Sequence, residues 1–227
     1  MEHTHSWKIG NATLICECGE ILPIDKMDIN QRRVYYEQVI QPPTGDVAAS
    51  SLWRVRWLYK EIPALKPKRI LEIGCESGFI TRWVVDEPYV EELKGIDPCV
   101  NAINHAKTLV LQRKHPEKAT YTTEAWEALD ESRSWDAIVC FELIEHFPSQ
   151  EGDQLIAKIH RLLSHGGSAF LCTPSPNGRY GVNNPDKHHL YVYTEESLRG
   201  KILANTGYDS TSNKSDVDFL MQKWSKP

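Results

Sequence analysis

A chain of 227 residues with 41% hydrophobic content is long enough for one domain with a sizeable core and an appendage. Its formal net charge of −5 provides no global field for nucleic acid or an anionic membrane, and the basic spots at 66–69 and 112–118 are short and diluted. No apolar run approaches the roughly 20 residues that span a bilayer, and "MEHTHSWKIG" has no apolar targeting core, so no signal peptide is expected. Six cysteines over this length do not form a disulfide framework, which makes a reducing, cytoplasmic setting the expectation.

Residues 1–45 follow no helix–strand rhythm and are read as an N-terminal extension, with room for a small β element. His3, His5, Cys16 and Cys18 are candidate zinc ligands there, but Cys-x-Cys lacks the usual two-residue gap between ligands. The alternative is a frayed terminus followed by a turn at 17–20. "QPPTGD" (41–46) reads as a linker. The domain assigned to 46–227 then opens with an amphipathic stretch at 51–63, whose Leu52, Trp53, Val55, Trp57 and Leu58 suit a packing helix over a sheet edge or ligand pocket.

From residue 69 onward strands and helices alternate. "RILEI" (69–73) precedes a helix carrying Phe79, Ile80, Trp83 and Val84, ended by Pro88. "LKGID" (93–97) precedes a helix with Val100, Ile103, Ala106 and Val110. "TYTTE" (120–124) is a weaker strand and "WDAIVCF" (135–141) a strong one. Ser149 can cap a helix with Leu155, Ile156, Ile159, Leu162 and Leu163 on one face, stopped by Gly166-Gly167. "SAFLCT" (168–173) is a fifth strand, a helix runs from Thr194 to about Ala204, and "VDFLMQKW" (217–224) closes the sheet. This order predicts an α/β fold with a mostly parallel sheet covered on both faces.

The turn after the first of these strands reads Glu72-Ile73-Gly74-Cys75-Glu76-Ser77-Gly78. A dinucleotide-binding loop puts its middle glycine where this chain has Glu76, which adds bulk and a like charge against phosphate. A ligand without phosphates and with a positive centre fits better, and an NAD-dependent oxidoreductase is disfavoured. The loop resembles the glycine-rich first motif of the class I SAM-dependent methyltransferases. Asp97, 25 residues after Glu72, stands where that family's carboxylate accepts from the ribose hydroxyls, and Glu124-Ala125 where it often has an acidic residue beside the adenine amino group. The resemblance, over roughly 67–224, implies a Rossmann-like seven-stranded fold. It also implies a SAM site drawn from Glu72, Gly74, Cys75, Glu76, Gly78, Asp97, Pro98, Glu124, Ala125 and Phe141.

A second constellation follows the fourth strand. Glu142, Glu145 and His146 are spaced i, i+3, i+4 and share one face of a helical turn, at the carboxyl end of the sheet where open α/β folds bind ligands. His189, in "HLYVYT", lies in the loop after the fifth strand. The set is similar to that of the small-RNA 3′-terminal 2′-O-methyltransferases, whose metal site uses Glu-x-x-Glu-His and a later histidine followed by aromatic-x-aromatic-Thr. Glu-x-x-Glu-His also occurs in ubiquinone-type O-methyltransferases. The resemblance implies Glu142, Glu145, His146 and His189 as metal ligands for Mn²⁺, Mg²⁺, Co²⁺ or Zn²⁺ and as the catalytic set. The plain alternative is first-turn carboxylates meeting a helix dipole and a packing histidine. The irregular stretch 174–189 is the candidate substrate lid.

The reading that follows is a SAM-dependent O-methyltransferase whose acceptor is an RNA 3′-end 2′-hydroxyl, a sugar or a small molecule. No extended nucleic-acid surface and no membrane partner are expected, and the oligomeric state is left open. Two rivals stand beside it: a metal-free methyltransferase with His146 as base, and a catalytically silent SAM-binding partner subunit.

Overall fold

The computed structural model describes residues 7–10, 13–16, 21–23, 49–178, 181–182, 188–213 and 218–227. The candidate ligands His3, His5 and Cys18, the linker at 41–46, and parts of the 174–189 segment lie outside them. Near the N-terminus, β1 (Trp7–Gly10), β2 (Thr13–Cys16) and β3 (Ile21–Pro23) form a three-stranded antiparallel sheet of their own.

The main sheet has seven strands: β4 (Arg69–Ile73), β5 (Glu92–Ile96), β6 (Ala119–Thr122), β7 (Trp135–Phe141), β8 (Leu163–Pro174), β9 (Thr211–Asn213) and β10 (Phe219–Ser225). Their order is β6-β5-β4-β7-β8-β10-β9; the first five run parallel, and β10 is antiparallel to both its neighbours. Strand order reverses between β4 and β7. The crevice at their carboxyl ends is therefore the place where such a sheet takes a ligand.

Strict alternation divides the core between two faces. Ile70, Ala137, Val139, Phe170 and Cys172 point to one, with helix α1 (Ala49–Leu65) contributing Val55, Trp57, Leu58 and Ile62, and α2 (Val100–Val110) contributing Ile103, Ala106 and Val110. Leu71, Ile73, Ile138, Cys140, Ala169 and Leu171 point to the other, under α3 (Ser149–Leu162) and α4 (Glu195–Thr206). Central strands covered twice read as continuous apolar runs, as "WDAIVCF" does. Leu58, Leu71 and Leu155 are all 0% exposed, and truncating such a leucine costs about 2–5 kcal/mol.

Several local expectations change. Between the glycine-rich loop and Pro88 the chain forms turns and a short 3₁₀ helix, Arg82–Asp86, in place of an amphipathic α-helix. Trp83, Val84 and Val85 are buried consecutively, which no single face of an α-helix can achieve, and paired β-branched residues disfavour one. Ser149 is the first residue of α3 and Pro148 its cap. Gly166-Gly167 do not stop that helix, since the chain leaves it at Leu163 to pair with Trp135. Gly167 then packs so tightly that a Cβ would meet the Ser164 and Trp135 carbonyl oxygens at 2.9 Å. β9 is too short and polar for its sequence to have announced it. Helix α4 runs two residues past Ala204, held by a Thr194–Ser197 capping box and ended by Gly207 at φ +78°.

Candidate active site

Every residue assigned from sequence to the cofactor lies at the carboxyl end of β4, β5, β6 or β7, where the sheet is open. Gly74 and Cys75 both donate their backbone N–H to the Ile96 carbonyl at 2.9 Å, which ties the loop to the end of β5. Asp97 extends that tie: one carboxylate oxygen accepts from the Glu76 N–H at 3.0 Å, the other from the Cys99 N–H at 2.8 Å. Glu76 needs the support, because its φ is +45°, in the left-handed region that L-residues avoid. Its carboxyl pKa is raised by burial and by Asp97, and Arg54 opposes the rise. Asp97 itself is raised by burial against the pull of its two backbone donors.

Glu72 points to the α1 face and is 2% exposed. The Thr81 hydroxyl donates to it at 2.5 Å, yet burial pushes its pKa up to about 8. Tyr121 of β6 floors the loop. Gly78, at φ +66°, has no room for a side chain, since a Cβ would stand 2.7 Å from the Tyr121 hydroxyl. Gly95 is just as close to that ring, at 2.5 Å. Glu124 pairs with Lys94, Ala125 caps the short 126–128 turn, and Pro98 follows Asp97 half-buried. Phe141 is buried and stacks on Trp57 of α1, with centroids 6.0 Å apart.

The turn after β7 is a 3₁₀ helix, Ile144–His146, entered through Glu142 at φ +53°. Across it lies the 188–193 segment. Leu190 and Tyr191 donate their N–H groups to the Glu145 carbonyl at 2.8 and 3.2 Å, and His146 Nδ1 sits 3.1 Å from the His188 carbonyl oxygen. A carbonyl can only accept, so His146 carries its proton on Nδ1 and, in the neutral ring, a lone pair on Nε2. Tyr193, 0% exposed, anchors the segment on α3 at Gly152, where a Cβ would stand 2.3 Å from its hydroxyl.

These contacts bring Glu145, His146 and His189 together, with ligand atoms within 4.8 Å of one another. Glu145 is fully buried. One of its oxygens accepts from the Thr173 hydroxyl at 2.9 Å, and the other, Oε1, has no hydrogen-bond partner. Burial and then Glu142 hold its pKa well above the carboxylate range. A carboxylate with an orphaned buried oxygen beside two imidazoles is a donor set that suits a divalent transition ion. Glu142, close enough to raise Glu145, is not one of these three: its Oε2 lies 3.1 Å from Arg54 Nη1, and its Oε1 accepts from the Cys172 thiol at 3.5 Å. Arg54, Thr173, Tyr121 and Thr81 are the residues that sequence reasoning missed.

The family model described as "Methyltransferase domain" matches residues 54–213. Among curated proteins, the ubiquinone biosynthesis O-methyltransferase of Nitrosomonas europaea is 25% identical over 139 residues, which covers 61% of this chain and 54% of that protein. The mitochondrial ubiquinone biosynthesis O-methyltransferase of Candida albicans is 32% identical over 109 residues, 46% of this chain and 32% of that one. The chain thus spans about a third to a half of these relatives. Among solved structures, the methyltransferase domain of bacterial CtHen1 superposes with a TM-score of 0.62 at 15% identity, covering 76% of this chain and 97% of that one. Magnesium protoporphyrin IX methyltransferase from Synechocystis PCC 6803, with bound SAH, gives 0.61 at 16% identity, covering 86% and 94%. At such identities these likenesses concern the fold.

Proposed function

This chain belongs to the methyltransferase domain family, with the Rossmann-like fold of its class I SAM-dependent members, and from that premise we propose that it methylates an acceptor hydroxyl beside a divalent ion held by Glu145, His146 and His189. The observation that carries the reading is the meeting of those three side chains at the carboxyl edge of the sheet, with Glu145 Oε1 buried and unpartnered. The ubiquinone O-methyltransferase relatives support oxygen as the atom methylated.

SAM, when bound, supplies a methyl group already activated on a sulfonium. The chain has to hold the acceptor oxygen in line with that methyl, exclude water and dispose of one proton. An acceptor hydroxyl methylated here would also have to give up its proton, which the chain would have to take or pass to solvent. An ion at this site would lower the pKa of a hydroxyl bound to it. The loop from Gly74 to Gly78, Asp97 and the floor at Tyr121 are the residues that would hold the cofactor's amino-acid and ribose parts, with Glu124 and Ala125 beyond them. The second reading dispenses with the ion and lets His146 take the proton at Nε2; the Nδ1 contact with the His188 carbonyl favours it, because that contact leaves the basic lone pair on Nε2.

Labelled methyl transfer to phenolic small molecules and to RNA 3′ ends, with and without a chelator, tests these readings. Transfer that stops on chelation supports the ion, and transfer indifferent to it supports His146 alone. SAM binding with no transfer to any hydroxyl would leave the silent-subunit alternative.

A further inference from the structure

We propose that Arg54 is a positioning residue whose guanidinium holds Glu142 apart from the Glu145–His146–His189 group, so that a divalent ion there has three protein ligands and open positions for the acceptor. The inference rests on the metal reading above and goes beyond it, because the sequence pattern alone makes Glu142 a fourth ligand.

The geometry of Glu142 carries it. Both its carboxylate oxygens are engaged, Oε2 with Arg54 at 3.1 Å and Oε1 with the Cys172 thiol at 3.5 Å. Its backbone is pinned as well, with the N–H donating to the Cys172 carbonyl at 2.9 Å and φ at +53°. A non-glycine residue stays in that region only where its surroundings over-determine it. Arg54 is equally constrained. It is 7% exposed, its guanidinium lies 4.4 Å over the Phe219 ring, and α1 is tied to the sheet by Glu61 with Lys223 at 2.8 Å. Removing the carboxylate from so buried a guanidinium is costly, so the pair persists when an ion arrives. Arg54 also acts electrostatically on Glu76 and on Glu145. One buried cation from α1 therefore balances carboxylates of the cofactor loop and of the β7 turn. Three protein ligands leave coordination positions open, as catalytic metal sites require.

Calorimetric titration of Mn²⁺ into the full chain without SAM tests this. Arg54→Gln removes a nearby positive charge and releases Glu142, and should tighten Mn²⁺ binding about tenfold. Arg54→Lys keeps the charge and should stay near wild type. The double variant Arg54→Gln/Glu142→Gln deletes a neutral pair and should remain within about threefold of wild type, while Glu145→Gln weakens binding at least about tenfold. Near-UV circular dichroism checks that each variant is folded. If Arg54→Gln alone does not fold, the double variant against Glu145→Gln decides. A double variant as weak as Glu145→Gln would make Glu142 a ligand and overturn the role of Arg54 while leaving the metal reading standing. A wild-type chain that binds no Mn²⁺ would overturn both.

Discussion

The two halves of the crevice, either side of the β4–β7 reversal, are built in different ways. The half we assign to the cofactor is made mostly by main chain. Gly74, Cys75 and Glu76 hang from Ile96 and Asp97 through backbone N–H groups, and two glycines leave room for Tyr121. The other half is made by side chains from four distant segments: Arg54 on α1, the 142–146 turn, Thr173 on β8 and the 188–193 segment. Such a site depends on few side chains, Asp97 foremost, and is intolerant of a Cβ where glycine stands. A side-chain site keeps buried charges in tension, and each depends on partners far away in sequence.

If the halves are separable, variants in one should leave the other's ligand alone. The largest effect is expected at Glu72. Its carboxyl titrates ordinarily at 4.5 and near 8 in the fold, so between those pH values the native state keeps a proton that the unfolded chain has released. This group alone should therefore take roughly 4 kcal/mol from the stability of the SAM-free protein as pH rises through the window. Glu72→Gln should remove that share of the decline and leave the part owed to Glu76, Asp97 and Glu145, whose carboxyls are also raised, as urea unfolding at pH 5 and pH 8 will show. Next is Gly78→Ala, which sets a Cβ 2.7 Å from the Tyr121 hydroxyl at a positive φ. It should cost about 1–3 kcal/mol and at least tenfold in SAM affinity, with Mn²⁺ binding intact.

Across the crevice, Gly152→Ala drives a Cβ against the Tyr193 hydroxyl. A cost of about 1–3 kcal/mol is expected from overpacking. Mn²⁺ affinity should fall as the 188–193 segment lifts, and calorimetry should find SAM affinity near wild type. The smallest effect is that of Thr173→Val, which removes the hydrogen bond to Glu145 and should cost about 1 kcal/mol in thermal unfolding. A change in SAM affinity from either variant would break the division into halves.

This division also explains what could be read in the sequence. The main-chain half is contiguous, so "LEIGCESG" and Asp97 carry its pattern in one short stretch of chain, and the continuous apolar runs in "RILEI" and "WDAIVCF" mark the doubly covered strands. The mostly parallel sheet follows from those signals, whereas its seventh strand, β9, was expected only through the family resemblance. The side-chain half offers only partial signals. Glu145, His146 and His189 announced themselves by residue type, but nothing in their spacing says that Glu142 turns towards α1. One clue was available: Arg54 stands four residues before Leu58 and eight before Ile62, on the apolar stripe of its helix, where an arginine needs a buried partner. The 3₁₀ stretch Arg82–Asp86 misled because Trp83 and Val84 also fit a helical period, and only the burial of Val85 beside them distinguishes the two.

On the reading proposed above, methyl transfer in this crevice depends on an ion held by Glu145, His146 and His189. The most direct test is single-turnover transfer of labelled methyl from SAM to a hydroxyl acceptor, in chelator-treated protein with Mn²⁺ added back, for wild type and Glu145→Gln side by side. Wild-type transfer should vanish on chelation and return with Mn²⁺, and Glu145→Gln should bind SAM normally yet show no metal response. Wild-type transfer at full rate in the chelator would contradict that reading.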